Sequence, residues 1–333
     1  MMEDRRRKSP GSIAFLAAIA TMAYAAVFSS ASLAADAYPS RHVTMVLPFP
    51  AGTVTDMTLR LIADHLGRAF GAPVVIENKG GAGGMIGATT VARAQPNGYT
   101  LLFTTNSTHS VVKSLFKSVP YDPEKDFAPV ARVVSLASML VVNPALPINT
   151  PAEFVAYAKS NPGKIRYGYG NSSGLIGGEM LKQAARIDIV PVAYKGNPQA
   201  LTDLISGNIE AMVIDLNNGI PQLKAGKIRA IGMLPSKRNG ALPALPTLNE
   251  TVAPGLDVSA WGGIFAPAGT PREIVKRLAD EIAKFAARPD IKEKLLTVGV
   301  ELDYAGPEEF SAFLKVEEVH WTTMAKAAGI KPQ

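Results

Sequence analysis

Val43-Thr44-Met45-Val46-Leu47-Pro48-Phe49-Pro50-Ala51-Gly52-Thr53-Val54-Thr55-Asp56 sets the architecture of the chain. It reads as a short buried strand, a tight loop of small residues and a helix beginning near Thr55. Pro48 and Pro50 cannot continue a sheet ladder, so the strand ends there. Gly52 admits backbone conformations closed to other residues and lets a ligand approach. Thr53 or Thr55 can cap the helix, and Asp56 in its first turn suits the positive end of the helix dipole. Uncommitted amide N–H groups at such a helix start suit an anion. The loop is therefore expected to hold one carboxylate of a small organic acid, with Phe49 as an apolar wall for its carbon skeleton.

The same design recurs along the chain. Leu59, Ile62, Ala63, Leu66 and Phe70 mark one buried helix face, and Gly71 is placed to end that helix. Strands are expected at 73–77 and 99–104, with a helix over 85–94 between them. Further strands follow at 127–134, 138–143, 165–169, 190–194, 209–214, 228–233 and 260–265. Helices are expected over 152–159, 175–185, 198–205, 220–224, 271–287 and 307–324. Strands alternating with helices imply parallel sheets flanked by helices. Leu140 to Phe154 echoes Gly263 to Ile274: strand, Pro-containing turn, then a helix opened by Thr-Pro. The echo predicts two α/β lobes with a cleft between them: residues 36–137 plus 257–333, and residues 138–256.

In such sheets ligands sit beyond the carboxyl ends of the strands. Four loops rich in Gly, Ser, Thr and Asn fit: Phe49 to Asp56, Thr105 to His109, Gly170 to Gly174, and Asp215 to Asn218. The binding residues expected from them are Phe49, Ala51, Gly52, Thr53, Thr55, Asp56, Asn106, Ser107, Thr108, Asn171, Ser172, Ser173, Gly174 and Asp215. The glycine run Lys79 to Gly84 matches neither a P-loop nor Gly-x-Gly-x-x-Gly, and a tight turn before a helix is its expected role. His42, His65, His109 and His320 lack metal-ligand spacing, so no metal is expected, and no cofactor either. His109 alone lies at a strand end, where it could touch a carboxylate. No nucleophile elbow is present, and no acid–base pair is evident, so an enzyme is not expected.

Composition narrows the setting. Arg5-Arg6-Arg7-Lys8, the apolar run Ile13 to Phe28 and Ser32-Leu33-Ala34 are the three parts of a signal peptide over residues 1–34. The protein is thus expected in the periplasm after cleavage near Ala34. There is no cysteine among the 333 residues, which excludes thiol chemistry, disulfides and a lipid-carrying cysteine. The net charge of +6 becomes about +4 without residues 1–34, which suits an anionic small ligand. No basic stripe with interleaved aromatics points to nucleic acid.

Longer segments resemble a known family. Pro48 to Asp56, Val75 to Gly87, Pro96 to Leu101, Tyr121 to Pro129, Pro191 to Gly196, Ala225 to Ala230 and Phe265 to Pro271 look like the Bug-type receptors of tripartite tricarboxylate transporters. The resemblance spans nearly all of the mature chain in the same order. It implies a two-lobed, hinged periplasmic-binding-protein type II fold, each lobe a mainly parallel sheet. It also implies a monomeric solute-binding protein that captures a di-, tri- or aromatic carboxylate and hands it transiently to membrane transporter subunits. Relatives hold the proximal carboxylate with backbone amides and waters from the first loop and the facing loop, here Ala51 to Asp56 and Asn171 to Gly174. Two departures stand in that pocket: Thr53 replaces a second glycine, and Leu175 or Ile176 stands where a histidine is usual. A ligand sensor serving a signalling partner is one alternative. An exported enzyme using Asp56, His109 and Asp215 is another.

Overall fold

The computed structural model describes residues 38–332; the expected signal peptide, residues 1–34, lies outside them. Val43–Leu47 (β1) is an apolar strand with almost every side chain buried, and it ends at Pro48. Val54–Phe70 (α1) follows, capped by Thr53 and ended by Gly71 in the left-handed conformation. Val74–Asn78 (β2) leads through a short 3₁₀ turn, Ala82–Gly84, into Met85–Ala92 (α2). Thr100–Thr105 (β3) and the single turn Val112–Leu115 (α3) precede the long strand Phe127–Leu136 (β4).

Ala137 separates β4 from Ser138–Val142 (β5), which belongs to a different sheet. Pro151–Ser160 (α4), Ile165–Tyr169 (β6), Ser172–Ala184 (α5), Ile189–Ala193 (β7) and Asn197–Ile205 (α6) repeat the strand–helix rhythm. Ala211–Asp215 (β8), Leu216–Lys224 (α7), Arg229–Met233 (β9) and the short Leu248–Thr251 (α8) complete this part. The chain then returns with Ala260–Pro267 (β10), Arg272–Ala286 (α9), Pro289–Leu296 (α10), Val300–Ala305 (β11) and Pro307–Ala327 (α11).

Both sheets are mixed. The first has six strands in the order β11-β4-β10-β3-β1-β2, and the second five in the order β7-β6-β8-β5-β9. Parallel pairing is confined to β3-β1-β2 and β7-β6-β8; the strands on either side of each chain crossing, β4 and β10 or β5 and β9, pair antiparallel. Parallel neighbours share their carboxyl edge, so the loops after β1 and β3 lie on one sheet edge. Those after β6 and β8 share the corresponding edge of the second sheet.

The sheets are mixed rather than mainly parallel, and three further expectations shift. Between the two last helices the chain also forms α10 and the edge strand β11, whose residues alternate charged and apolar (Val300-Glu301-Leu302-Asp303) and so hide its strand character. Helix α5 begins at Ser172 rather than Leu175, because Asn171 already caps it. Of the two Thr-Pro openings, Thr150 caps α4 through the Glu153 amide with Pro151 inside the helix. At the other, Pro271 precedes α9, and the Thr270 hydroxyl donates to the Pro267 carbonyl.

The apolar packing also crosses the division between sheets. Phe310 at the start of α11 packs with Trp261 and Phe265 of β10. Trp321, Met324 and Ala325 near its end join a cluster with Leu140, Ile176 and Val258.

Candidate functional site

The first loop is held from behind by Asp56. Its Oδ2 accepts from the Gly52 amide at 3.0 Å and from Arg60 Nε at 2.9 Å. Its Oδ1 accepts from Arg60 Nη2 at 3.2 Å and from Asn78 Nδ2 at 3.1 Å. Asn78 Nδ2 also donates to the Phe49 carbonyl, tying the end of β2 to the loop. Burial alone would raise the Asp56 carboxyl, but the bonds from Arg60, Gly52 and Asn78 hold it below the usual carboxylate range. Gly52 sits at φ +80°, the left-handed region, which turns its N–H inward.

Proton counting settles the threonines. Thr53 Oγ1 donates to the Pro50 carbonyl at 2.9 Å, which uses its single proton. Thr53 Oγ1 must then accept both from the Asp56 amide at 3.3 Å and from Thr55 Oγ1 at 2.9 Å. Both hydroxyl protons are spent inside the loop. The donors left over are backbone: in a helix with Thr53 as N-cap, the Val54 and Thr55 amides have no intrahelical acceptor. Ala51 is exposed and Phe49 half-buried beside them.

The glycine run braces this loop. A Cβ on Gly84 would stand 2.6 Å from Thr108 Cγ2, and one on Gly87 would stand 2.9 Å from Pro48 Cβ. Only glycine lets the start of α2 come so close beneath Pro48 and Thr108, which accounts for the run without any nucleotide.

In the loop after β3, Asn106 and Thr108 are buried and Ser107 half-buried. Thr108 turns inward: its Oγ1 lies 2.7 Å from Thr104 Oγ1 and 3.0 Å from His109 Nδ1, while Tyr121 donates to its carbonyl at 2.8 Å. His109 stacks on Phe265 with ring centroids 4.0 Å apart, and burial lowers its pKa to about 3. A neutral ring enclosed among aromatics braces the loop and offers no charge to a ligand.

On the second sheet, Asn171 Oδ1 caps the Gly174 amide at 2.8 Å. Asn171 Nδ2 donates to Asp215 Oδ2 at 2.9 Å. That leaves the Ser172 and Ser173 amides as the open first-turn donors of α5. The two sheet edges meet here. Ser107 Oγ lies 3.2 Å from Ser172 Oγ, and Asn106 Nδ2 donates to Ser173 Oγ at 3.4 Å. No direct hydrogen bond joins residues 49–56 to residues 170–174 among the described residues; the loop after β3 stands between them in the bonding pattern.

Arg60, Asn78, Ser138 and Asn197 were not expected from sequence, though all four hold loop residues in place. Arg60 was legible as the i+4 partner of Asp56. Asn78 and Ser138 act from neighbouring strands and Asn197 from a helix start, which local spacing does not reveal. Among the described residues no group of His, Asp and Glu could hold a metal ion, and no helix is long and apolar enough to cross a membrane.

Comparison with known proteins places this geometry. Residues 58–330 match the profile described as the tripartite tricarboxylate transporter family receptor. The structure of R. palustris Rpa4515 with adipate superimposes with a TM-score of 0.84 at 34% identity, over 89% of this chain and 100% of that one. The periplasmic binding protein BugD superimposes with a TM-score of 0.80 at 35% identity, over 89% and 100%. MatC from Rhodopseudomonas palustris with bound malate gives a TM-score of 0.77 at 31% identity, over 86% and 100%.

Proposed function

The chain belongs to the tripartite tricarboxylate transporter family of receptors, and from that membership we propose that it is a periplasmic solute-binding protein capturing a small carboxylate by hinge closure. Two lobes, residues 36–137 with 257–333 and residues 138–256, shut on the ligand, and the closed form presents it to membrane transporter subunits. The protein acts as a receptor and not as an enzyme, and is exported after cleavage near Ala34.

One observation carries this reading: the Ser107–Ser172 and Asn106–Ser173 contacts bring the carboxyl edges of two different sheets together. Helix α5 starts at that meeting point, and α1 starts on the same edge of the first sheet as the loop carrying Asn106 and Ser107; each has its third amide satisfied by a side-chain cap and its first two left open. A carboxylate bridging the Val54 and Thr55 amides on one side and the Ser172 and Ser173 amides on the other would accept from both at once. Hydrogen bonds to an ionised acceptor in an enclosed site are among the stronger ones, so neutral donors suffice. A ligand shifts the open–closed balance only by its difference in affinity for the two forms. A carboxylate touching both helix starts has that difference built in. Phe49, Ala51, Gly52, Thr53, Thr55 and Ser107 line or shape the site. Asp56, Thr108, Asn171, Gly174 and Asp215 hold it from behind.

Adipate and malate bound to the two relatives define the first ligands to try. In a thermal-shift and calorimetric screen of mono-, di-, tri- and aromatic carboxylates, at least one acid raises the melting temperature and binds with a stoichiometry of about one. Gly52→Pro removes an inward N–H and forbids φ +80°; Ser173→Glu sets a charged, longer side chain against Asn106. Both variants lose binding while staying folded. Wild-type affinity in both would contradict the site.

A further inference from the structure

Asp215 ends β8, and its carboxylate joins three separate segments. Oδ1 accepts from Ser138 Oγ at 2.8 Å; Oδ2 accepts from Asn171 Nδ2 at 2.9 Å and from Asn197 Nδ2 at 2.8 Å. Ser138 is the first residue of β5, one position after the chain leaves the first sheet at Ala137. The backbone reinforces that crossing: Leu216 N donates to the Ala137 carbonyl and Leu234 N to the Ser138 carbonyl, each at 3.0 Å. Asn171 is the cap that shapes the start of α5. Asn197 opens α6, and Gly170 has no side chain because a Cβ there would meet the Asn197 backbone amide and Oδ1. The carboxylate therefore gathers the crossing strand, the cap of the binding helix and the neighbouring helix start.

We propose that Asp215 is a positioning residue that couples the crossing strand to the Ser172–Ser173 turn, so that the second-sheet half of the site is correctly shaped only while this carboxylate holds Ser138, Asn171 and Asn197 together. The inference rests on the carboxylate-receptor reading and adds to it a link between hinge and grip. Asp215 does not itself touch the ligand. Its lone pairs point at side-chain donors, and an exposed carboxylate would repel an acid.

The groups facing it carry no charge. They are the Ser138 hydroxyl from β5 and the amides of Asn171 before α5 and Asn197 on α6; the last also reaches Asn218 of α7 at 3.4 Å. Burial pushes the Asp215 carboxyl up, and the three donors oppose that without a cation to help. Protonation would turn an acceptor into a donor facing donors, as would replacement by asparagine.

The test is calorimetric titration with adipate and with malate on the full protein and on three variants. Asp215→Asn leaves at least one buried donor unpaired and is expected to weaken both acids by about tenfold, the same factor for each. Asn171→Ser keeps a capping oxygen but cannot reach Asp215, so it should weaken binding comparably although the helix remains capped. Ser138→Ala cuts only the link to the crossing strand and should weaken both acids by about threefold. Lowering the pH weakens binding to the wild type as Asp215 takes up its proton, and does so less in Asp215→Asn, where only the ligand and the remaining site carboxylate, Asp56, still titrate. Affinity within about twofold of wild type for Asp215→Asn or Asn171→Ser, or identical pH profiles for wild type and Asp215→Asn, would overturn the inference while leaving the receptor reading intact. If the wild type binds none of the carboxylates in the wider screen, the receptor reading falls and this one with it.

Discussion

His109 is the residue whose environment departs furthest from what its type suggests. A histidine at a strand end looks like a ligand contact, yet it is stacked against Phe265 and held neutral, with its pKa lowered to about 3. The unfolded chain takes up a proton near the ordinary histidine value, which the folded ring refuses until far lower pH. Stability contributed this way is complete above about pH 6.5 and is lost as the pH falls from there toward 3. Urea midpoints should therefore drop between about pH 7 and pH 5, above the range where carboxylates titrate, and His109→Phe should flatten that drop. An equally steep fall in His109→Phe would show that another group is responsible. Thr53 gives a second residue-scale expectation. As N-cap it satisfies the Asp56 amide, and Thr53→Ala should cost about 1 kcal/mol in chemical unfolding. The sequence offers Thr53 or Thr55 as the cap, and the structure selects Thr53. The inward turn of the Gly52 amide was not legible, since it needs Arg60 and Asn78 to fix the carboxylate it bonds.

At the scale of elements, local periodicity served for helices and failed for sheet order. The amphipathic spacing of α1 and the apolar stretches Leu101-Leu102-Phe103 of β3 and Met139-Leu140-Val141-Val142 of β5 are readable one segment at a time. Whether β10 runs parallel or antiparallel beside β3 is not, because an apolar run looks the same in both directions and its partner lies more than a hundred residues away. The edge strand β11 was missed because only part of its surface is buried. Helix α5 carries a sharper test of packing against propensity. Gly177 and Gly178 stand in its middle, where alanine would favour the helix by about 1 kcal/mol. A Cβ at Gly177 would collide with Leu234, and one at Gly178 with the Tyr167 ring, so the glycines set how closely the helix lies on its sheet. Gly177→Ala should therefore destabilise the protein, by about 1–3 kcal/mol in urea unfolding. Stabilisation would mean that α5 can move off the sheet freely.

For the whole molecule, the internal echo between residues 140–154 and 263–274 pointed to two similar halves, and two helix-flanked sheets are what the chain forms. The sequence did not reveal that α11 packs Phe310 against the first sheet and Trp321 into a cluster with second-sheet residues. The proposed closure of the halves has to accommodate that helix as well as the two strand crossings. Trp321→Ala should accordingly cost about 3–5 kcal/mol, more than a residue near the chain end would normally contribute. The proposal of a carboxylate ligand rests on the relatives that hold adipate and malate, and that of neutral gripping groups on the donors left open at α1 and α5.

Closure over an acid is the claim on which these expectations converge, and the absence of native cysteine makes it directly measurable. Ser107 and Ser172 approach to 3.2 Å between their hydroxyl oxygens, so cysteines at both positions would be within reach of a disulfide. The decisive measurement is the rate of disulfide formation in Ser107→Cys/Ser172→Cys under mild oxidant, with and without each carboxylate that stabilises the wild type. Cross-linking should form and should accelerate with those acids and with no others. A cross-link that never forms, or one whose rate no carboxylate changes, would contradict the account.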